Sequence, residues 1–300
     1  MPTYDVCAVG GVCWDFVGIV EEYPDPDEKA QLSELVQMGG GLSGTAMAAV
    51  AALGGKAKVF GRVGDDDFGD KIFAEFGQQG VATSGLQVLP GITSHFAFCI
   101  AHGPTGRRTI YWKPGTYERM VEGELDLEAV TDCRALLVDH HHLRAAIEAA
   151  RHARSQGLPV VGDIERVQPG ADEFLAAVTH PIVPRRFLRA LTGERDIAAG
   201  ACRLRERGLD CVIVTQGDEG VTAFVGEERV HQPAFAVAPV VDTTGAGDVF
   251  HGAFAYGLAL GYELAENLRF ASAAAALSCR ALGGRGALPT LAEVQALLDA

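Results

Sequence analysis

From Asp126 onward the sequence alternates between short apolar runs and longer helical patterns, and few folds accept that rhythm. The spacing predicts strands at 135–139, 159–163, near 182 and at 211–215. Helices are expected at 143–156, 171–178, 185–191 and 195–207. The runs Ala135-Leu136-Leu137-Val138 and Val212-Ile213-Val214 are apolar at consecutive positions, so both faces of each strand are to be covered. Strands of this kind separated by helices form a mainly parallel sheet with helices on both faces. The chain of 300 residues has no internal repeat and no low-complexity linker, and it reads as one α/β domain over 1–300.

Earlier in the chain, Tyr4 to Gly11 reads as a strand with Asp15 just beyond it. Gly39-Gly40-Gly41 opens an Ala-rich helix to about Leu53, Lys58 to Val63 is a strand, and Asp65 to Asp67 cap a helix through Phe76. Two stretches break the alternation. Residues 17–38 are extended around Pro24 and Pro26, and 92–113 alternate like two strands around a Gly103-Pro104-Thr105-Gly106 turn. Together, over about 12–38 and 92–118, they predict a small β lid above the carboxyl edge of the main sheet, where such folds bind ligands.

Against 25 Lys and Arg stand 39 Asp and Glu, a formal charge of −14. That argues against nucleic acid or an anionic membrane as partner, so an anionic substrate needs a local cluster of cations. The seven cysteines are dispersed, with no C-x-x-C spacing, as expected of reduced thiols in a cytoplasmic protein. Neither a signal peptide nor a membrane span is expected.

The densest chemistry lies at 240–252, Val-Val-Asp-Thr-Thr-Gly-Ala-Gly-Asp-Val-Phe-His-Gly. Val240 and Val241 read as the end of a buried strand, Asp242 to Gly245 as a turn, and Asp248 onward as a helix. Gly245, Ala246 and Gly247 leave the backbone bare where a helix start offers unpaired N–H groups and positive dipole. Asp248 adds a carboxylate able to take a proton from a hydroxyl held beside a phosphate, the minimal outfit for phosphoryl transfer. A plain helix cap is the competing reading.

Other motifs carry less. Gly39 to Gly44 satisfies G-x-G-x-x-G, but residues 32–38 make a poor core strand for a dinucleotide fold. Thr215, Gly217 and Gly220 follow a strand into a tight turn. His140-His141-His142 ends a strand, and a zinc site there lacks a third ligand and a second shell.

The Asp242-Thr243-Thr244-Gly245-Ala246-Gly247-Asp248 run resembles the signature of the ribokinase-like (PfkB) carbohydrate kinases. The resemblance implies a ribokinase-like fold with a β lid, ATP and Mg2+ as partners of a small sugar, a monovalent cation such as K+, and sometimes a homodimer through the lid. It makes Asp248 the catalytic base and Gly245, Ala246 and Gly247 the anion hole. Asp15, Gly40, Gly41 and Thr45 fall to the sugar, and Thr215, Gly217, Gly220, Thr244 and Gly247 to the nucleotide. Ala271 to Gly286 looks like the adenine-side helix, with Ala274 and Ser278, and the cation loop. Leu42 and Thr45 stand where many members have Asn. The family's Asn-x-x-Glu is replaced by Pro184 and Phe187, so Mg2+ is expected on nucleotide oxygens and water, with Asp163 and Glu165 in the outer shell. Gly61 to Asp67, Val214 to Gly217, His231 to Phe235 and Asp248 to Gly252 are similar to the sulfofructose kinase and ketohexokinase-like branch. Trp112 and His141 stand where that branch has an Asn and an Arg that grip an anion, while Lys29, Arg107, Arg108 and Lys113 are expected to gather around the sugar. The implied function is transfer of the γ-phosphoryl group of ATP to a primary hydroxyl of a ketose or ketose-like sugar, neutral or anionic. Two alternatives are a catalytically weak sugar- or nucleotide-binding protein of the same fold and an NAD-dependent oxidoreductase.

Overall fold

Side chains of a fully buried parallel strand point alternately to two faces, and β1 (Tyr4–Val9) shows the consequence directly. Val6 and Ala8 pack into one core, Cys7 and Val9 into another, and all four are wholly buried. In the computed structural model, which describes residues 2–300, β1 lies inside a nine-stranded sheet. Its strands are β4 (Ala57–Gly64), β5 (Ala82–Leu89), β8 (Cys133–Asp139), β9 (Val160–Asp163), β10 (His180–Pro184), β11 (Cys211–Thr215), β12 (Val221–Val225) and β13 (Glu228–Gln232). The order is β13-β12-β11-β10-β9-β8-β1-β4-β5, parallel except for the pairs β11–β12 and β12–β13.

The first face is covered by α1 (Leu42–Ala52), α2 (Asp67–Gln79), α8 (Ala246–Leu260), α9 (Leu264–Ser278) and α10 (Leu291–Leu298). The second carries α3 (Leu127–Thr131), α4 (Leu143–Ser155), α5 (Ala171–Ala177), α6 (Arg185–Thr192) and α7 (Ile197–Arg205). A separate sheet, β3-β2-β6-β7, is built from β2 (Cys13–Val20), β3 (Glu34–Gly40), β6 (Phe96–His102) and β7 (Arg107–Lys113). This is the expected lid, and its small core of Val17, Ala97, Cys99 and Ala101 includes Leu282 from beyond α9. No helix among the described residues is long and apolar enough to cross a membrane.

One expectation needs correction, one strand was not foreseen, and one rejected reading stays rejected. Val240 and Val241 do not end a strand: residues 233–243 are irregular and Val240 is 46% exposed. Pro233 and Pro239 lack N–H donors and cannot extend a ladder, so Val241 N–H donates to the Cys279 carbonyl instead. Strand β5 escaped notice because Ala-Thr-Ser-Gly-Leu-Gln-Val-Leu is half polar, as suits the sheet's edge. The glycine run 39–44 is not a dinucleotide loop, since the strand before it, β3, belongs to the lid sheet.

Helix α8 begins and ends on left-handed glycines, Gly245 (φ 74°) and Gly261 (φ 83°). Gly252 sets its seat on α1: a Cβ there would lie 2.3 Å from the Ala46 carbonyl oxygen, a rigid backbone atom. Gly252→Ala therefore has to push the two helices apart. We expect a loss of about 1–3 kcal/mol, read as a lower urea midpoint at unchanged m-value, despite the better helix propensity of alanine.

Candidate active site

The turn before α8 is shaped by one buried carboxylate. Asp242 Oδ1 accepts from the Thr244 N–H (2.8 Å) and hydroxyl (2.7 Å), and Oδ2 accepts from Gly283 N–H (2.9 Å). This fixes Gly245 against the loop after α9, where a Cβ on Gly245 would lie 2.5 Å from Gly284 Cα. The space in front of Gly247 is open. The helix thus presents its first turn to the cleft with no side chain in the way.

Asp248, the third residue of α8, sits in that turn. Burial, then the charges of Asp163 and Glu165, hold its carboxyl well above the usual range, with Arg108 opposing. Asp163 ends β9, is itself raised by burial to about 6, and lies 3.5 Å from His251 Nδ1. His251, one turn past Asp248, donates from Nδ1 to the Gly247 carbonyl (2.6 Å). Glu165 pairs with Arg186. The lid reaches this turn directly: Gly106 O accepts from Thr243 N–H (3.2 Å) and hydroxyl (3.1 Å), and Arg108 Nη1 donates to Thr243 Oγ1 (3.2 Å).

A second buried carboxylate, Asp139 at the end of β8, ties three loops together. It accepts N–H bonds from Gly11 (2.7 Å), Ser43 (3.1 Å) and His141 (2.6 Å), and the Ser43 hydroxyl at 2.7 Å. Burial pushes it up, but the neighbouring His141 and His140 and these hydrogen bonds prevail and hold it below the ordinary carboxylate range. Asp15 on β2 lies under the Gly40 backbone, where a Cβ would meet its Oδ2 at 2.0 Å. Burial raises Asp15 to about 6 against the Cys13 thiol, which donates to its Oδ1 at 2.9 Å, and the charge of Arg285. The turn at Gly39-Gly40 is gripped at both ends. Gly39 N–H donates to Glu75 (2.7 Å), and Arg285 donates to Gly40 O (3.0 Å) and to Glu75 (3.1 Å).

The structure brings Asp15, Gly40, Gly41, Arg108, His141, Gly245, Ala246, Gly247 and Asp248 to one carboxyl edge. Thr45 is buried on α1 with its methyl toward Gly284. Trp112 bridges lid and body, its ring 5.7 Å from that of His95 in the lid and 4.8 Å from the Arg166 guanidinium beyond β9. Lys29 stays apart, exposed in the 21–33 loop with no hydrogen bond or ion pair among the described residues. Thr215 and Gly217 border the turn after β11, and Gly220 (φ 92°) packs on the Gln232 carbonyl, where a Cβ would lie 2.1 Å away. Ala274 and Ser278 have almost no exposed surface and pack α9 onto its neighbours; in the last turns of this helix the half-buried Ala275 and Ala276 are the residues with surface to offer. Asp139, His95, Tyr117, Glu75, Arg285 and His251 were missed as site residues. Asp139 carried a usable signal, an acid ending an apolar strand at the ligand edge; the others join only through the fold.

The sequence profile described as pfkB family carbohydrate kinase matches residues 3–291. The ribokinase of Bacillus subtilis (strain 168) is 27% identical over 298 residues, covering 98% of this chain and 99% of the relative. A crystal structure described as a putative ribokinase from Agrobacterium tumefaciens superposes with a TM-score of 0.91 at 29% identity, over 99% of this chain and 98% of that one. Arabidopsis thaliana ribokinase, solved in complex with ribose and ATP, gives 0.85 at 27% identity over 99% of both chains. With the signature run at the mouth of α8 and a match spanning nearly its whole length, the chain belongs to the pfkB family of carbohydrate kinases.

Proposed function

We propose that this kinase transfers the γ-phosphoryl group of ATP to a primary hydroxyl of a ketose, with Asp248 as the base. The observation that carries the reading is the position of the Asp248 carboxyl in the first turn of α8, beside amides left bare at Gly247. The complex of the Arabidopsis relative with ribose and ATP supports the pairing of sugar and nucleotide. Leu42 and Thr45, in place of the usual Asn residues, support an acceptor other than ribose; likeness to the ketohexokinase-like branch supports a ketose.

Asp15 and the Gly40-Gly41 turn hold the sugar hydroxyls. Asp248 takes the proton of the reacting hydroxyl as its oxygen bonds to the γ-phosphorus and the bond to the β-phosphate oxygen breaks, releasing ADP. The amides and dipole at the start of α8 stabilise the charge that develops on the transferring group. Among the described residues no three His, Cys, Asp or Glu side chains form a metal-holding group. The carboxylates of Asp163 and Glu165 suit Mg2+ held mainly by phosphate oxygens and water, and such an ion neutralises phosphate charge when bound. Contacts from Gly106 and Arg108 to Thr243 bring the lid down on the transfer site and exclude water.

Asp248→Asn is expected to lower kcat by about 10²–10⁴-fold while ATP still binds, measured by coupled ADP release and nucleotide titration. Full activity in that variant removes the base from the scheme. Asp15 supplies a second expectation, because its carboxyl is raised to about 6 and must be ionised to accept from sugar hydroxyls. The KM for the sugar should rise as pH falls through 6, with less effect on kcat. The native state binds this proton more tightly than the unfolded chain does, so Asp15 makes the unliganded protein less stable as pH rises from about 4 to 6. Asp15→Asn should then stabilise the unliganded protein by about 1–3 kcal/mol above pH 6, with no gain below pH 4, while sugar affinity collapses.

A further inference from the structure

Rings and cations line up where the lid meets the carboxyl edge of the main sheet. The Arg166 guanidinium sits 4.8 Å from the Trp112 ring centre; Trp112 lies 5.7 Å from His95, and His95 stacks on His141 at 5.3 Å and 9°. His141 Nε2 meets the Tyr117 hydroxyl at 3.1 Å. The same ring packs against Gly11, where an added Cβ would come within 3.1 Å of it, so the file opens onto the loop that Asp139 ties to Ser43.

Two features of this file are unspent. Both ring nitrogens of His95 are shut off from solvent without a hydrogen-bond partner. Buried polar atoms are seldom left so, and an imidazole with both nitrogens unpaired points to a missing partner. Arg119 lies between Tyr117, whose hydroxyl meets His141, and Met120, whose N–H donates to His142 Nδ1 (3.1 Å). Arg119 and Arg166 are both exposed and have neither ion pair nor side-chain hydrogen bond among the described residues, although acids outnumber bases 39 to 25. By contrast Arg144, Arg151, Arg185 and Arg186 each have a carboxylate partner. The charges of Arg119 and Arg166 both act on His95 and His141, and with burial, the larger cause, they keep those imidazoles neutral, at about 3 and about 4. At neutral pH the two guanidiniums therefore supply the charge, and the rings supply neutral donors and acceptors.

We infer that Arg119, Arg166, His95 and His141 form a subsite for an anionic group carried by the sugar, so that the substrate is an acidic sugar. This rests on the sugar kinase reading and deepens it. A guanidinium suits the paired oxygens of a carboxylate, sulfonate or phosphate, and neutral imidazole N–H groups complete the shell. Arg108 serves the other end of the acceptor, where it bonds Thr243 beside the transfer site. The Arg166–Trp112 contact alone would suit a simple lid latch, and the test separates the two.

The test titrates the full chain with fructose, 2-ketogluconate and fructose 6-phosphate, following tryptophan fluorescence with calorimetry as a check. The two acids place the charge at opposite ends of the same skeleton and so distinguish a carboxylate at C1 from a phosphate at C6. At least one acid should bind about tenfold or more tighter than fructose, and Arg119→Gln and Arg166→Gln should each carry that ratio most of the way back to one. Equal affinities in the wild type, a ratio that neither variant alters, or equal losses for fructose and the acids would each overturn the subsite, the last leaving a latch. ADP release is read separately. Acid-selective binding with no ADP formed from any sugar sinks the kinase reading and spares the subsite; ADP formed with no acid preference does the reverse.

Discussion

Side-chain volume is missing where α8 meets its neighbours, and the site depends on that absence. At Gly252 the helix backbone lies against Ala46 of α1, and at Gly245 the turn lies against Gly284. Both contacts are backbone on backbone. They set the height and tilt of α8, and with them where the open amides and Asp248 face the cleft. A helix start is an anion site only if its N–H groups stay unpaired and uncovered. Here Asp242 satisfies the turn from behind, bonding Thr244 and Gly283, and leaves the front free.

The same cleft concentrates carboxylates in a chain already rich in them, and each is stabilised differently. Asp139 collects four hydrogen bonds and stays ionised as a structural tie. Asp15 has one thiol donor and the field of Arg285, which do not offset its burial. Asp248 faces Asp163 and Glu165 and remains strained toward its protonated form. A base held this way gains proton affinity suited to a hydroxyl, and an arriving Mg2+–phosphate or guanidinium charge relieves the crowding.

Much of this was legible in the residues. Consecutive apolar positions at 135–138 and 212–214 called for buried parallel strands, and β8 and β11 are such strands. The broken alternation at 17–38 and 92–113 marked the lid. The run at 240–252 identified the helix start because glycine, small residue and acid lie consecutively, so local order alone carries the information. What stayed hidden is relational. Arg285 and Glu75 are 210 residues apart, and His95, Tyr117 and His141 come from three connecting segments. No period or spacing joins such residues; only the crossover of the sheet and the closure of the lid do. Ala274 shows the opposite error, a residue placed by analogy at a surface it does not reach.

The Arg285 guanidinium reaches Gly40 of the lid strand and Glu75 of α2, and its neighbour Gly284 abuts the turn at Gly245. A single buried cation therefore ties the lid strand and α2 to the loop that abuts the turn before α8. The lid of this enzyme is not an exchangeable module: one grafted from a relative, without a counterpart for this arginine, would leave a charge stranded in the interior. Changes of acceptor in this lineage would then have to move through paired substitutions at 75 and 285, or through the rim residues that the clamp does not touch.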